Sequence, residues 1–393
     1  MTTSIITSDD QALAVTEEIA QQLRRDSALR DRERRLPHAE LELFSRSGLW
    51  AISVPKAFGG AGVSNVTLAQ VVARIAQADA SLGQIPQNHF YALEVLRVNG
   101  SPEQQRRLYQ EVLAGQRLGN ALAELGTRTA HDRNTRLTRD GEGFRINGRK
   151  FYATGALYAQ RIPTSVIDEQ GVQQLAFVPA SSAGLQVIDD WSGFGQRTTG
   201  SGSVVFDNVF VRAEDVVPFQ SAFERPTPVG PLAQILHAAI DTGIARAAYE
   251  DALHFVRTRS RPWVDSGVDK ASDDPLTLKS FGQLAIRLHA SEALLERAGL
   301  YLDQAQQDST ENSVAAASIA VAEARAISTE IALATGTTLF ELAGSQATLA
   351  EHNLDRHWRN ARVHTLHDPV RWKYHAIGNY YLNAENPPRR GTL

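Results

Sequence analysis

The feature that most constrains the fold is a long alanine-rich run, Val314 to Thr335, which has small residues on more than one face of a helix. A helix that is small and apolar on several faces must be packed on several sides. The run therefore predicts the inner helix of a bundle or of an oligomer core. Helical spacing of apolar residues also occurs earlier in this part of the chain, at Leu284, Leu288, Leu295 and Leu302.

The character of the chain changes twice along its length. Residues 1–117 show helical spacing, whereas residues 118–222 contain short alternating runs separated by polar turns. Asp140–Gly141 and Asn147–Gly148 are typical of hairpin turns, and the whole middle segment predicts a small barrel or sandwich. Residues 223–393 return to helical spacing. The sequence thus predicts a mainly α protein with a helical N-terminal domain, a central β-domain and a C-terminal helical bundle.

Composition excludes several classes of function. The net charge is −4, with 42% hydrophobic and 21% charged residues, so no electrostatic argument favours nucleic acid or an anionic membrane as a partner. No apolar run approaches the roughly 20 residues that span a bilayer, and the N-terminus does not resemble a signal peptide. We therefore expect a cytoplasmic protein.

Sulfur is almost absent from the chain. There is no cysteine, and the single methionine is Met1. The lack of cysteine excludes disulfides, thiolate metal sites and a cysteine nucleophile. The lack of internal methionine, a residue that fills gaps in cores and is cheaply replaced by leucine, favours a protein made under sulfur shortage. Mutational drift is the alternative, and it explains the missing methionine less easily.

Three segments, in this order and spacing, resemble motifs of the acyl-CoA dehydrogenase superfamily: Phe58–Gly62, Lys150–Gly155 and Arg356–Arg362. Within that superfamily the chain is most similar to the branch of flavin-dependent monooxygenases that includes enzymes of sulfur acquisition. The segments that carry this second resemblance are Gly195–Ser203, Arg261–Trp263 and Trp358–Pro369.

The resemblance implies both an architecture and a reaction. It implies a β-barrel middle domain, a C-terminal four-helix bundle, a homotetramer, and a flavin held between the β-domain and the bundle. Reduced FMN would come from a separate NAD(P)H-dependent flavin reductase and react with O2 to give a C4a-(hydro)peroxide. The substrate would be a small organosulfur compound, such as methanesulfinate or a sulfone. Arg261-Pro-Trp263 stands where dehydrogenases have an R-x-Q-F-type sequence that binds FAD, so FMN is favoured over FAD.

His364 and His367 lie three residues apart, just before Asp368 and Pro369. The residues alone favour a helix end whose histidines complement the dipole, then a proton-handling site, and last a metal site. A metal would lack ligands, because no HExxH-type set completes the pair, and we predict no metal site. The resemblance implies that both histidines face the flavin and handle protons.

Other site residues follow from the resemblance alone. It implies an active-site role for His89, and hydrogen bonds at the flavin from Asn120 and Thr154. Further expected cofactor contacts are Tyr152, Arg197, Ser201, Arg261 and His367. An arginine is suited to the flavin phosphate, and Arg261 is expected to act across a subunit interface. Without the resemblance, these residues suggest a buried histidine, polar strand edges and a glycine-rich turn.

Two other functions stay open. The first is an FAD-dependent acyl-CoA dehydrogenase, in which Asp368 would stand where many dehydrogenases have a glutamate base. The aspartate is one methylene shorter and precedes a proline, which argues against that role. The second is a flavin-binding protein or scaffold that has lost its chemistry. Residues 263–275 are expected to form a loop, whose closure over the site is left open.

Overall fold

The computed structural model describes residues 3–129 and 132–393. Within these residues the N-terminal part is helical. Its helices are α1 (Asp9–Arg25), α2 (Ser27–Glu33), α3 (His38–Ser47), α4 (Asn65–Ala78), α5 (Ala80–Gln84), α6 (Pro86–Asn99) and α7 (Pro102–Leu113).

The middle part of the described chain is a sheet, and the C-terminal part is again helical. The strands are β1 (Arg136–Asp140), β2 (Gly143–Lys150), β3 (Arg161–Ile167), β4 (Gln173–Pro179), β5 (Leu185–Ile188), β6 (Ser203–Arg212) and β7 (Val216–Pro218). The last helices are α8 (Ser221–Glu224), α9 (Val229–Thr258), α10 (Pro275–Gln307), α11 (Glu311–Ala343), α12 (Asp355–His364) and α13 (Arg371–Asn383).

Local sequence explains where the helices begin. Ser101 accepts a hydrogen bond from the Gln104 amide, and the Gln104 side chain accepts one from the Ser101 amide, which together form a capping box before Pro102. Asp274 caps α10 in a similar way, with Pro275 in the first turn. Three helices lie before Gly48, because the chain breaks at Asp26 as well as before His38.

The seven strands form one sheet in the order β5-β6-β2-β1-β3-β4-β7. β1 and β2 pair antiparallel across the predicted turn at Gly141, whose φ of 59° is left-handed. The second predicted turn, Asn147–Gly148, lies inside β2 and is a β-bulge opposite β6, so that prediction was wrong. The two halves of the sheet are joined by a parallel pairing, Arg136 with Ile167. The middle segment is therefore a single mixed sheet, not a sandwich of two.

The alanine-rich run lies in α11, a helix of 33 residues that packs against α9, α10, α12 and α13. Its buried residues occupy several faces, which confirms the prediction made from its composition. One hydrophobic core runs from the N-terminal helices into this bundle, and the sheet has a core of its own. No helix in the described part of the chain has the length and apolar character needed to cross a membrane.

Candidate active site

Three histidines meet where α9 passes the end of α12. Nδ1 of His237, on α9, lies 3.0 Å from Nε2 of His364, the last residue of α12. The ring of His237 also lies against that of His367, with 3.8 Å between centroids and 36° between planes. Nδ1 of His364 is 2.6 Å from Oδ1 of Asp241, one turn after His237 on α9. The histidines thus form a compact cluster backed by a carboxylate.

The two predicted histidines do not lie on one face of a continuous helix, although they are three residues apart. The helix ends at His364, and His367 lies in the turn that follows. His237 contacts both rings and brings them into one cluster. Tertiary packing, and not the three-residue spacing, therefore joins the pair.

Charged residues from three elements surround the histidines. Arg325 of α11 contacts the carboxylate of Asp241, and its other terminal nitrogen lies 3.9 Å from Oδ1 of Asp368. Nζ of Lys373, on α13, is 2.8 Å from Oδ2 of Asp368. Each of these four side chains is at most 4% exposed. Two buried cations therefore balance two buried carboxylates.

The carboxylates stay ionised in this setting. Burial raises the pKa of the Asp241 carboxyl, but the neighbouring His364 and Arg325 outweigh burial and lower that pKa below its usual range. Burial also raises the pKa of Asp368, but the hydrogen bond from His367 and the nearby cations lower it far below the usual range. Both aspartates can therefore only accept hydrogen bonds near neutral pH.

The two inner histidines stay neutral. Burial lowers the pKa of His237 well below 6.5, and the neighbouring His367 and His364 lower it further. Burial also lowers the pKa of His364, although Asp241 opposes this. The side chain of His367 differs from them because it is 40% exposed, whereas that of His364 is fully buried. His367 is thus the histidine that faces open space.

A second group of polar side chains lies in the β-unit. Oγ1 of Thr154, just after β2, is 2.7 Å from Oγ of Ser201. Ser201 is in turn 2.6 Å from Oγ1 of Thr199. All three hydroxyls are buried, so they form a short hydrogen-bonded chain inside the protein.

Aromatic and amide groups stand beside these hydroxyls. Tyr152 is 47% exposed and has a left-handed backbone, with φ of 56°. Its ring lies 6.3 Å from that of Trp191, and its carbonyl accepts a hydrogen bond of 3.3 Å from Asn120. The structure thus brings the predicted residues Asn120, Tyr152 and Thr154 to one edge of the β-unit.

The segment Gly195–Ser201 joins this edge to the helical bundle. The Gln196 amide donates to Oδ1 of Asn360, at 2.7 Å, and Thr199 donates to the Gln196 carbonyl. Asn360 lies one turn before His364 on α12. The side-chain amide of Gln196 is buried and has no hydrogen-bond partner among the described residues. The hydrogen bond from Gln196 to Asn360 thus links the segment that carries Thr199 and Ser201 to the helix that carries His364.

His89 lies in a different setting from the one expected. It is fully buried on α6, where its Nδ1 accepts from the Leu118 amide and its Nε2 donates to the Trp50 carbonyl. Burial lowers its pKa to about 4, although the hydrogen bond to Trp50 opposes this. Both ring nitrogens are therefore used by the backbone, which favours a structural role. A catalytic role for His89 stays a prediction that these contacts do not support.

The predicted arginines also lie apart from the histidine cluster. Arg197 donates to the backbone carbonyls of Asp31 and Arg32, in the last turn of α2. Arg261 is exposed in the segment between α9 and α10, which is a loop as predicted. Contacts of either arginine with a cofactor stay predictions. Within residues 3–129 and 132–393, no group of three or more acidic or histidine side chains is arranged to hold a metal ion.

Sequence reasoning missed four residues of the cluster: His237, Asp241, Arg325 and Lys373. One signal was available, because Arg325 interrupts the alanine-rich run and Asp241 follows Ile240 in an apolar stretch. A charged residue on a helix predicted to be packed on several sides must have a charged or polar partner. The identity of that partner depends on packing between distant segments.

Comparison with known proteins identifies the family of this chain. Residues 9–116 match the N-terminal domain of acyl-CoA dehydrogenase, and residues 235–372 match the C-terminal domain. A dibenzothiophene monooxygenase of Mycolicibacterium goodii is 34% identical, over 88% of both chains. The probable FMNH2-dependent monooxygenase SfnC of Pseudomonas putida is 31% identical, over 98% of both chains.

Two solved structures have the same architecture over nearly their whole length. FMN-bound TdsC from Paenibacillus sp. A11-2 superposes with a TM-score of 0.93 at 32% identity, over 97% of this chain and 100% of that one. Methanesulfinate monooxygenase MsuC from Pseudomonas fluorescens superposes with a TM-score of 0.90 at 30% identity, over 97% and 99% of the two chains. The chain belongs to the acyl-CoA dehydrogenase superfamily, within its branch of flavin-dependent monooxygenases.

Proposed function

We propose that this protein is a two-component, FMNH2-dependent monooxygenase that oxygenates a small organosulfur compound. The observation that carries the proposal is the charge-balanced cluster of three histidines and two aspartates, in which only His367 is partly open. Such a cluster can hold and deliver a proton at a defined atom, as oxygenation by a reduced flavin requires. The related FMN-bound and FMNH2-dependent monooxygenases support the choice of cofactor.

The residues at the edge of the β-unit fit a flavin. The hydroxyls of Thr154 and Ser201 offer donors and acceptors for the polar edge of the ring, and Tyr152 and Trp191 offer aromatic surfaces. The buried side-chain amide of Gln196 lacks a partner among the described residues, as expected of a group that binds a polar ligand. In this proposal the bound reduced FMN supplies the activation of O2.

The protein's own residues control protons and water. His367 is held by a hydrogen bond of 2.8 Å from its Nδ1 to Asp368, so its Nε2 is the atom available to the reaction. Asp368 keeps its charge because Lys373 and Arg325 face it inside the protein. The burial of the rest of the cluster keeps water from its ion pairs, which strengthens their attraction.

The same geometry argues against an acyl-CoA dehydrogenase. A base that removes a carbon-bound proton needs a carboxylate that accepts protons readily. The lowered pKa of Asp368, caused by His367 and the cations once burial is overcome, makes it a weak base. The pKa of Asp241 is also lowered, and its carboxylate is bound by His364 and Arg325. Neither buried aspartate is therefore suited to that role.

For the substrate, we propose an alkanesulfinate such as methanesulfinate, with a small sulfone next and a bulky thiophene last. The scarcity of sulfur in the chain favours a substrate that supplies sulfur, and a methanesulfinate monooxygenase is among its structural relatives. The reaction consumes FMNH2, O2 and methanesulfinate and yields FMN, water and methanesulfonate.

The partners in this proposal are an NAD(P)H-dependent flavin reductase and three further copies of the chain. Large apolar residues are exposed on two helices of the bundle, as expected of surfaces that a second copy covers. Examples are Leu276, Ile286 and Leu300 on α10, and Trp372 and Leu382 on α13. Light scattering of the purified protein tests the tetramer, and a monomer at micromolar concentration would contradict it.

The test is a coupled turnover assay. Purified protein is mixed with NADH, FMN, a flavin reductase and one substrate at a time: methanesulfinate, dimethyl sulfone or dibenzothiophene. We expect methanesulfonate to appear from methanesulfinate, at about one product per FMNH2 consumed. His254→Gln, at an exposed position near the end of α9, is the matched control and should behave as wild type.

Two results separate the alternatives. Bleaching of copurified FAD by an acyl-CoA thioester, with no sulfur oxygenation, would replace the proposal with a dehydrogenase. Tight FMN binding without turnover of any substrate would indicate a flavin-binding protein that has lost its chemistry.

A further inference from the structure

His237 lies between the two predicted proton-handling histidines and contacts both of them. It hydrogen bonds to His364 at 3.0 Å and places its ring 3.8 Å from that of His367. It is 2% exposed and belongs to α9, more than a hundred residues before the other two. A buried side chain that contacts two histidine rings can fix the position of both rings.

The hydrogen bonds on one side of His237 have a fixed direction. Asp241 is ionised, so it accepts the proton of His364 Nδ1 across 2.6 Å. A neutral His364 then has its lone pair on Nε2, and only a donor can bind there. His237 must therefore donate its Nδ1 proton to His364. The direction of donation runs from His237 through His364 to Asp241.

The other side of the cluster is arranged in the same way. Asp368 is ionised, so it accepts the proton of His367 Nδ1 across 2.8 Å. Arg325 lies near both aspartates and joins the two sides. The ring of His237 contacts both imidazoles, so it fixes the orientation of the His367 ring relative to that of His364.

The charge balance assigns different roles to the three histidines. Two cations already balance the two carboxylates, so each proton added to the cluster brings an uncompensated charge. Two protonated rings 3.8 Å apart would repel each other strongly at low dielectric. The buried His237 must therefore remain neutral beside His367, whose side chain is the partly exposed one.

We propose that His237 is a positioning residue of this site. It holds His364 with the proton on Nδ1, and through its ring contact it holds His367 in the orientation that presents Nε2. His237 does not exchange a proton with the substrate. The inference rests on the proposed function for its effect on oxygenation, but the tautomer of His364 can be tested without any flavin.

The first test measures that tautomer by NMR of the apo-protein, with 15N and 13C labels in the histidine rings. A His364→Gln variant assigns the resonances of His364. We expect a single His364 tautomer, protonated on Nδ1 and unchanged from pH 6 to 9. A wild-type His364 protonated on Nε2 would overturn the proposal, whatever the variants do.

Two substitutions then separate the effect of the hydrogen bond to His364 from the effect of side-chain volume at position 237. In His237→Asn, the side-chain Nδ2 can take the place of the ring Nδ1 as the donor to His364. In His237→Leu no donor is left for Nε2 of His364. We expect the 15N resonance of His364 Nε2 to shift downfield in the leucine variant, as for a ring nitrogen that has lost its hydrogen bond, and to stay near its wild-type position in the asparagine variant. An unshifted Nε2 resonance in the leucine variant would overturn the proposal.

The last readout is the yield of oxygenated product per FMNH2, with hydrogen peroxide measured in parallel. We expect His237→Leu to lose at least tenfold in yield and His237→Asn to regain several-fold over it. Equal yields for the two variants, together with the expected NMR result, would mean that the hydrogen bond exists but does not serve oxygenation. A wild type that gives no product, with the expected tautomer, would refute the proposed function and leave the hydrogen-bond order intact.

Discussion

Acidification should destabilise this protein in part through His89, and the size of that effect can be worked out from its surroundings. His89 is fully buried, and its pKa is lowered to about 4 by burial. In the unfolded chain its pKa is about 6.5. The unfolded state therefore binds a proton below pH 6.5 that the folded state does not, so stability falls as the pH drops from about 6.5 towards 4. Between pH 7 and 5.5 this histidine alone should lower the free energy of unfolding by about 1.2 kcal/mol.

The substitution that isolates this effect is His89→Gln. A glutamine offers one acceptor for the Leu118 amide and one donor for the Trp50 carbonyl, so both present hydrogen bonds can be kept without a titrating group. His89→Leu would leave both backbone groups unpaired, at a cost of about 1–3 kcal/mol for each. The glutamine variant should therefore be much more stable at pH 7 than the leucine variant.

The assay is urea unfolding followed by tryptophan fluorescence at pH 7 and pH 5.5. The loss of stability between the two pH values should be smaller in His89→Gln than in wild type, by about 1.2 kcal/mol. An identical loss in both proteins would refute the assignment of His89 as a buried neutral group. The product yield of the same variant tests the catalytic prediction: a large loss despite normal stability would restore His89 to the active site.

Three further predictions concern the cluster and the cofactor. His364→Ala and His367→Ala should keep the fold, as checked by circular dichroism, but divert O2 to hydrogen peroxide with at least a tenfold loss of product. Full product yield in either variant would remove that histidine from proton handling. Arg325→Met leaves two buried carboxylates without their shared cation and should lower the free energy of unfolding by about 3–5 kcal/mol in urea titrations; a loss below about 1 kcal/mol would contradict the charge balance. Arg261→Ala should weaken FMN binding in calorimetry, and an unchanged affinity would exclude Arg261 from the phosphate site.

Much of the fold was predictable because it is encoded locally. The composition of Val314–Thr335 predicted a helix packed on several sides, and α11 contacts four other helices of the bundle. The turn at Asp140–Gly141 was correct, but Asn147–Gly148 was not. The same residue types serve a turn or a bulge, and the pairing with β6 decides which of them forms.

Only part of the site could be predicted from the sequence, because the rest depends on contacts between distant segments. His364 and His367 stand close together in a recognisable segment, so the sequence could indicate them. His237, Arg325 and Lys373 come from three other helices, and each becomes part of the site through packing alone. A local pattern cannot show which buried charge meets which, since that depends on contacts between segments far apart in sequence.

If this chain controls the reaction of reduced FMN with O2, flavin bound to it must reoxidise differently from free flavin, and stopped-flow absorbance measures that difference. Anaerobic protein carrying FMNH2 is mixed with oxygenated buffer, with and without methanesulfinate, and reoxidation of the flavin is followed over time. We predict reoxidation through a long-lived phase that is distinct from free flavin and is shortened by methanesulfinate. Reoxidation at the rate of free FMNH2, unchanged by any organosulfur compound, would contradict it.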